Sequence, residues 1–149
     1  MKSQVVLLVV ALAATALSLP LFSGAGAVAD PIGWSIERPT EQPVDLAAGE
    51  QVYSRCIGCH SPERNRTGPR HCGLLGRVSG TEPGYEYSAA MQAANILWST
   101  ETLNLFLQSP LTEVPGTTMG FAGIADPVER RNLIAWLATL SEGSPYCSP

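Results

Sequence analysis

Apolar positions along the chain fall into three regimes. From Val5 to Phe22 they are nearly continuous, from Leu46 onward they recur in short bursts at three- and four-residue intervals, and between Ser61 and Tyr87 they are scattered among glycines and prolines. The continuous run follows Lys2 and gives way to small residues ending at Ala27-Val28-Ala29. That layout predicts an export signal over residues 1–29, cut after Ala29. A retained membrane anchor is the alternative, because a run of about 18 residues is barely long enough to span a bilayer. Residues 30–44 carry Pro31, Pro39 and Pro43 without apolar periodicity and read as an extended arm.

The bursts predict helices. Asp45 can cap a helix over Leu46 to Arg55, with Leu46, Gly49, Val52 and Tyr53 on one face. Short helices follow at Ser88 to Asn95 and Thr100 to Gln108, the second stopped by Pro110, and Leu111 to Ile124 reads as loop. The last helix has Asp126 as cap, Pro127 in its first turn and Glu129 at the capping-box position. Its apolar stripe is Leu133, Ile134, Leu137 and Leu140. No strand alternation is sustained anywhere, so the expectation is an all-α domain over residues 45–141 with a short tail at 142–149. The glycine-rich stretch from Ser61 to Tyr87 must be held by something other than backbone ladders.

At 149 residues the chain has room for one domain with a modest core. Lys2 is its only lysine, so removal of the signal leaves eight arginines against thirteen acidic residues. This acidic balance argues against nucleic acid as a partner. Four cysteines in an exported protein would ordinarily suggest two disulfides. Cys56 and Cys59, however, are too close for an ordinary structural bridge and run directly into His60, so Cys72 and Cys147 form a separate pair with a separate explanation.

Cys56-Ile57-Gly58-Cys59-His60 has the spacing for covalent attachment of one haem c: two thiols add across two vinyl groups, and the adjacent histidine turns under the ring to ligate iron. A redox dithiol or half of a zinc site also uses Cys-X-X-Cys, but a zinc site would have to recruit His71, Cys72 or Cys147. For the sixth iron position Met91 and Met119 remain once the initiating methionine leaves. Met119 is favoured because Pro115-Gly116-Thr117-Thr118 can present it from a loop, whereas Met91 sits in a helix where methionine more often packs.

The chain resembles the class I cytochromes c of the mitochondrial and bacterial cytochrome c2 type over about Asp45 to Leu140. The likeness is carried by Gly49 and Tyr53, Cys56 to His60, Thr67-Gly68-Pro69, Gly73-Leu74-Leu75-Gly76-Arg77, Gly84 to Ser88, Trp98, Pro115 to Met119 with Phe121, and Arg131 to Leu137. It implies the class I fold, short helices wrapped around one haem, with His60 and Met119 as axial ligands. It also implies that the Pro69 carbonyl accepts the other ring proton of His60, that Arg77, Tyr87 and Trp98 hold the haem propionates, and that Gly49 lets the first helix approach the last near Leu133 and Trp136.

Several positions depart from that family. Met91 and Phe106 stand where relatives often have asparagine and tyrosine, a less polar surround that predicts a fairly high reduction potential if Met119 ligates. Leu111, Thr112, Glu113 and Thr118 replace the basic residues that mitochondrial relatives use for docking. Arginines gather instead at Arg55, Arg64, Arg66, Arg70 and Arg77, either guiding an acidic partner or simply solvated. His71 and Cys72 are also unusual, and with Cys147 in the tail a Cys72–Cys147 disulfide is expected.

The function implied is that of an exported, periplasmic single-electron carrier passing electrons between redox partner proteins, respiratory or dehydrogenase, with no substrate chemistry of its own and no membrane span once the signal is removed. It would act as a monomer or as a subunit of a larger complex. One alternative is an electron-accepting haem subunit of a periplasmic dehydrogenase or oxidase. A haem peroxidase or gas sensor becomes the reading if Met119 does not ligate.

Overall fold

The computed structural model describes residues 43–147. The expected signal at 1–29 and nearly all of the arm at 30–44 lie outside the described residues. Five helices follow in order: α1 (Leu46–Tyr53), α2 (Ala89–Ala93), α3 (Thr100–Gln108), α4 (Pro110–Glu113) and α5 (Pro127–Ala138). The β structure among the described residues is one isolated antiparallel bridge between Val78 and Leu97.

Caps set the helix starts. Asp45 accepts from Ala48 N at 3.0 Å, Ser88 from Met91 N at 3.2 Å, and Asp126 from Val128 N at 2.7 Å. At α3, Ser99 and Thr102 exchange backbone and side-chain bonds as a full capping box. Each cap satisfies an orphan N–H that would otherwise be left at the helix end.

Three expectations change. Leu111 to Ile124 is not all loop, because Pro110 begins α4 as well as ending α3, with Ser109 serving both helices. A proline at the first helical position has no orphan N–H to lose, so one residue can stop one helix and start the next. Glu129 does not complete a capping box; its carboxylate is drawn to Arg55, both oxygens accepting at 2.7 Å. Leu46 is 48% exposed, so the inward face of α1 is Gly49, Val52 and Tyr53.

The core is built on α1 against α5, with α3 packed on α5 and on α4. Gly49 makes that first contact possible. A Cβ there would overlap the Asn132 carbonyl oxygen and come within 2.9 Å of Trp136 Cβ, so the crossing point is Asn132 and Trp136 rather than Leu133. Tyr53 then packs against Trp136 with the rings tilted and their centroids 4.2 Å apart, and Leu133 and Leu140 are fully buried. Arg130, also buried, donates to Asn104 Oδ1, Ile124 O and Ala125 O and so ties α5 to α3 and to the loop before it.

Residues 61–87 are held differently. Asn65 bridges Pro83 O and Arg70 N at 2.9 Å each, and Tyr85 donates to Thr67 O at 2.6 Å. Cys72 and Cys147 form a disulfide, Cα to Cα 5.7 Å across 75 residues, and Gly73 N donates to Leu140 O at 2.8 Å. The tail is thereby tied to the glycine-rich loop beside the last turn of α5.

Candidate functional site

After Tyr53 the backbone tightens into successive turns: Cys56 N donates to Tyr53 O, and Cys59 N and His60 N both donate to Cys56 O, at 2.8 to 3.0 Å. These turns bring half-buried Cys56, exposed Cys59 and buried His60 together at the end of α1. The Pro69 carbonyl can only accept, so the 2.7 Å contact fixes the His60 ring proton on Nδ1 and leaves Nε2 with its lone pair free. Gly68 lies flat under the ring; a Cβ there would sit 2.6 Å from Nδ1.

His60 opens onto a cavity of about 340 Å³. Cys56, Cys59, Pro69, Arg77, Tyr87, Trp98 and Met119 all line it as well, so the structure brings every sequence-predicted site residue to one space. Most of the remaining lining is apolar, including Met91, Leu103, Phe106 and Phe121. Both candidate methionines therefore reach the cavity. Met91 is buried in the core on α2, while Met119 is half-buried on a loop turned by Thr117 N to Val114 O at 3.0 Å, with Gly116 at φ +92°.

The electrostatics decide between chemistries. Burial, reinforced by Cys59, pushes the Cys56 thiol up to about 11 against the opposing pull of Arg55. A redox-active dithiol needs the opposite, a lowered thiol pKa. The zinc alternative loses Cys72 and Cys147 to their disulfide, and among the described residues no His, Cys, Asp and Glu side chains cluster to hold a metal ion. Burial also lowers His60 below the ordinary imidazole value, with the bond to Pro69 opposing.

His71 stacks on the His60 ring at 4.2 Å and shares a hydrogen bond of 3.2 Å with Tyr53 Oη. Burial first, then the neighbouring His60 and Arg77, lower its pKa well below the usual value.

The arginine crescent is largely neutralised. Arg55 is paired with Glu129, and Arg70 and Arg77 both contact Glu82. Only Arg64 and Arg66 of that group are without a carboxylate partner among the described residues. Sequence reasoning missed Glu82, Arg130 and Asn132: an acid in a turn and polar residues on a helix carry no mark of burial in a one-dimensional pattern.

The apolar cavity fits a macrocycle, and one orphan fits its acidic edge. Arg77, a cation among the residues that line the cavity, has a buried Nε with no hydrogen-bond partner. Helices around an apolar cavity, with two cysteines, a histidine and a cation among the residues that line it, define a carrier of covalently attached haem.

No family model matches the chain. It is 46% identical over 101 residues to a cytochrome c of Euglena viridis, covering 66% of this chain and 99% of that one. It is 38% identical over 107 residues to a cytochrome c2 of Agrobacterium tumefaciens, covering 68% and 96%. Among solved structures it is similar to cytochrome cH from Methylobacterium extorquens, with a TM-score of 0.63 at 38% identity over 64% of this chain and 98% of that one. The chain belongs to the cytochrome c family: it is an electron carrier, and its haem c is attached through Cys56 and Cys59.

Proposed function

We propose that this chain is a periplasmic carrier that takes one electron from one redox protein and delivers it to another, with His60 and Met119 closing the iron and no substrate chemistry of its own. The observation that carries this reading is the convergence of His60, with Nε2 free, and the loop residue Met119 on one apolar cavity. When bound, the haem supplies a single-electron couple.

The chain's own residues do the rest. Pro69 holds the His60 ring in one orientation, the stacked His71 and the close backbone of Gly68 keep it from turning, and the Val114-to-Met119 turn presents the thioether. Leu103, Phe106 and Phe121 exclude water from the cavity, which keeps the surround of the two oxidation states alike and reorganisation small. Arg77, Tyr87 and Trp98, all in the cavity lining, would hold the haem propionates; burying such carboxylates without donors would be expensive. No helix among the described residues is long and apolar enough to cross a membrane. Export rests on the sequence alone, on the apolar run from Val5 to Phe22 ahead of Ala27-Val28-Ala29, read as a signal over residues 1–29 cut after Ala29.

Absorption spectra of the purified protein in both oxidation states test this reading. The ferric protein should show the weak far-red band of sulfur ligation, and the reduced protein should resist carbon monoxide. Met119→Ala should lose the band, bind carbon monoxide readily and fall in potential by a sizeable part of the roughly 0.8 V that axial ligands span. A wild-type protein without the band, or a Met119→Ala variant that keeps it, would exclude Met119 as ligand and bring the peroxidase or sensor reading forward.

A further inference from the structure

Glu82 is the least expected group in the molecule. Its side chain is 4% exposed, yet neither carboxylate oxygen is without an arginine: Oε1 accepts from Arg70 Nε at 2.6 Å, and Oε2 from Arg77 Nη1. Arg77 is further fixed by donating to Arg70 O at 2.8 Å and Cys72 O at 3.3 Å. These contacts occupy the terminal nitrogens of Arg77, a residue of the cavity wall, and leave its buried Nε without a partner. Arg70 in turn reaches Glu142 at 3.4 Å, in the tail that the Cys72–Cys147 disulfide ties down.

Such an arrangement has two consequences. A carboxylate gripping one side of a guanidinium restricts the side-chain rotation that would otherwise carry the group away from the cavity wall. A charge buried this deeply is also poorly screened by solvent, so it acts on a redox centre in the adjoining cavity much more strongly than a surface acid would.

We propose that Glu82 is a positioning residue for the haem: it holds Arg77 in the cavity wall, where its guanidinium would meet a haem carboxylate, and its buried negative charge favours the ferric state and so lowers the reduction potential. It thereby opposes the apolar lining contributed by Met91 and Phe106. Arg70 is the counterweight, a second cation that offsets Glu82 from the side away from Arg77. The inference rests on haem occupying the cavity, which the wild-type spectrum tests independently.

The experiment is an equilibrium redox titration of the holoproteins carrying Glu82→Gln and Arg70→Gln beside wild type. Glu82→Gln keeps a hydrogen-bonding group of the same size and removes the charge. It should raise the midpoint potential by a several-fold shift of the ferric–ferrous equilibrium, up to about tenfold, or about 59 mV for one electron. Arg70→Gln should lower it. A purely structural role predicts another result: loosening either contact would admit water and lower the potential in both variants. An unchanged or lowered potential in Glu82→Gln overturns the proposal. Should that variant fail to retain haem, Arg70→Lys beside Arg70→Gln decides: a fall in Arg70→Gln that Arg70→Lys, which keeps the charge, does not share supports the proposal, and equal falls in both or no fall in Arg70→Gln overturn it.

Discussion

The two halves of this molecule are held together by different means. The α1–α5 pair is regular backbone: capped helices, a glycine contact at Asn132 and Trp136, and apolar faces that meet directly. Residues 61–87 have no helix, and scattered backbone bonds, such as His71 N to Ser61 O and Gly76 N to Trp98 O, are joined by side chains that fix them: Asn65 on two backbone groups, Glu82 between two arginines, and Cys72 bonded to the tail. The first half satisfies its polar backbone internally. The second borrows partners from distant parts of the chain and presents one wall of the haem cavity.

That contrast predicts where the protein breaks first when haem is withheld. A cavity of about 340 Å³ left without its contents would cost about 8 kcal/mol at the usual penalty for cavities, comparable with the whole stability of a small domain. The Cys56→Ala, Cys59→Ala double variant, purified without haem, should lose cooperative thermal unfolding. Hydrogen exchange should show residues 61–87 unprotected, with whatever protection survives confined to α1 and α5. Equal protection in both halves would erase the distinction.

Reducing the disulfide attacks the second half selectively. Closing a loop of 75 residues is worth about 4 kcal/mol in the chain-entropy model. Cys72→Ser with Cys147→Ser in the holoprotein should therefore lower denaturant stability by roughly that amount, with the slope of the transition changed because the unfolded chain is less constrained. The wild-type protein, unfolded without reductant, should show no titratable thiol.

The first half is attacked at its crossing point. Gly49→Ala forces a methyl group into the Asn132 carbonyl and Trp136 Cβ, and overpacking of this kind costs about 2 to 3 kcal/mol. Because the strain lies outside the cavity, the far-red band should persist while the melting temperature falls.

The smallest effect concerns the exposed clamp between Arg55 and Glu129. Hydrogen bonding to Arg55 holds the Glu129 carboxyl below its ordinary value. A depressed folded-state pKa contributes stability above the ordinary carboxylate value and loses it as pH falls through the depressed one. Glu129→Gln should therefore melt slightly below wild type at neutral pH and low salt, with the difference vanishing in acid and shrinking in high salt because both partners face solvent.

Much of this was legible beforehand because it depends on neighbours in sequence. Caps at Asp45 and Asp126, the bounds of α3 and the spacing of Cys56, Cys59 and His60 are all settled within a few residues. What misled were groups with two plausible uses. Glu129 was suited both to a capping box and to an ion pair, and its distance from Arg55 across the helix crossing is not a property of the local pattern. Pro110 reads as a stop from one side and as a start from the other. Arg70 and Arg77 read equally as part of a steering surface or as solvated charge, and only the fold reveals the acid between them.

The sequence by itself determined that this is an all-α domain with one covalently attached haem, because periodicity and the attachment spacing are short-range and chemically specific. The tertiary structure decided that His71 stacks on His60 and that Glu82 is buried between Arg70 and Arg77. It also joined Cys72 to Cys147. Those contacts join residues brought together only when the chain closes around the cavity, where burial makes each unpaired charge costly and so selects its partner.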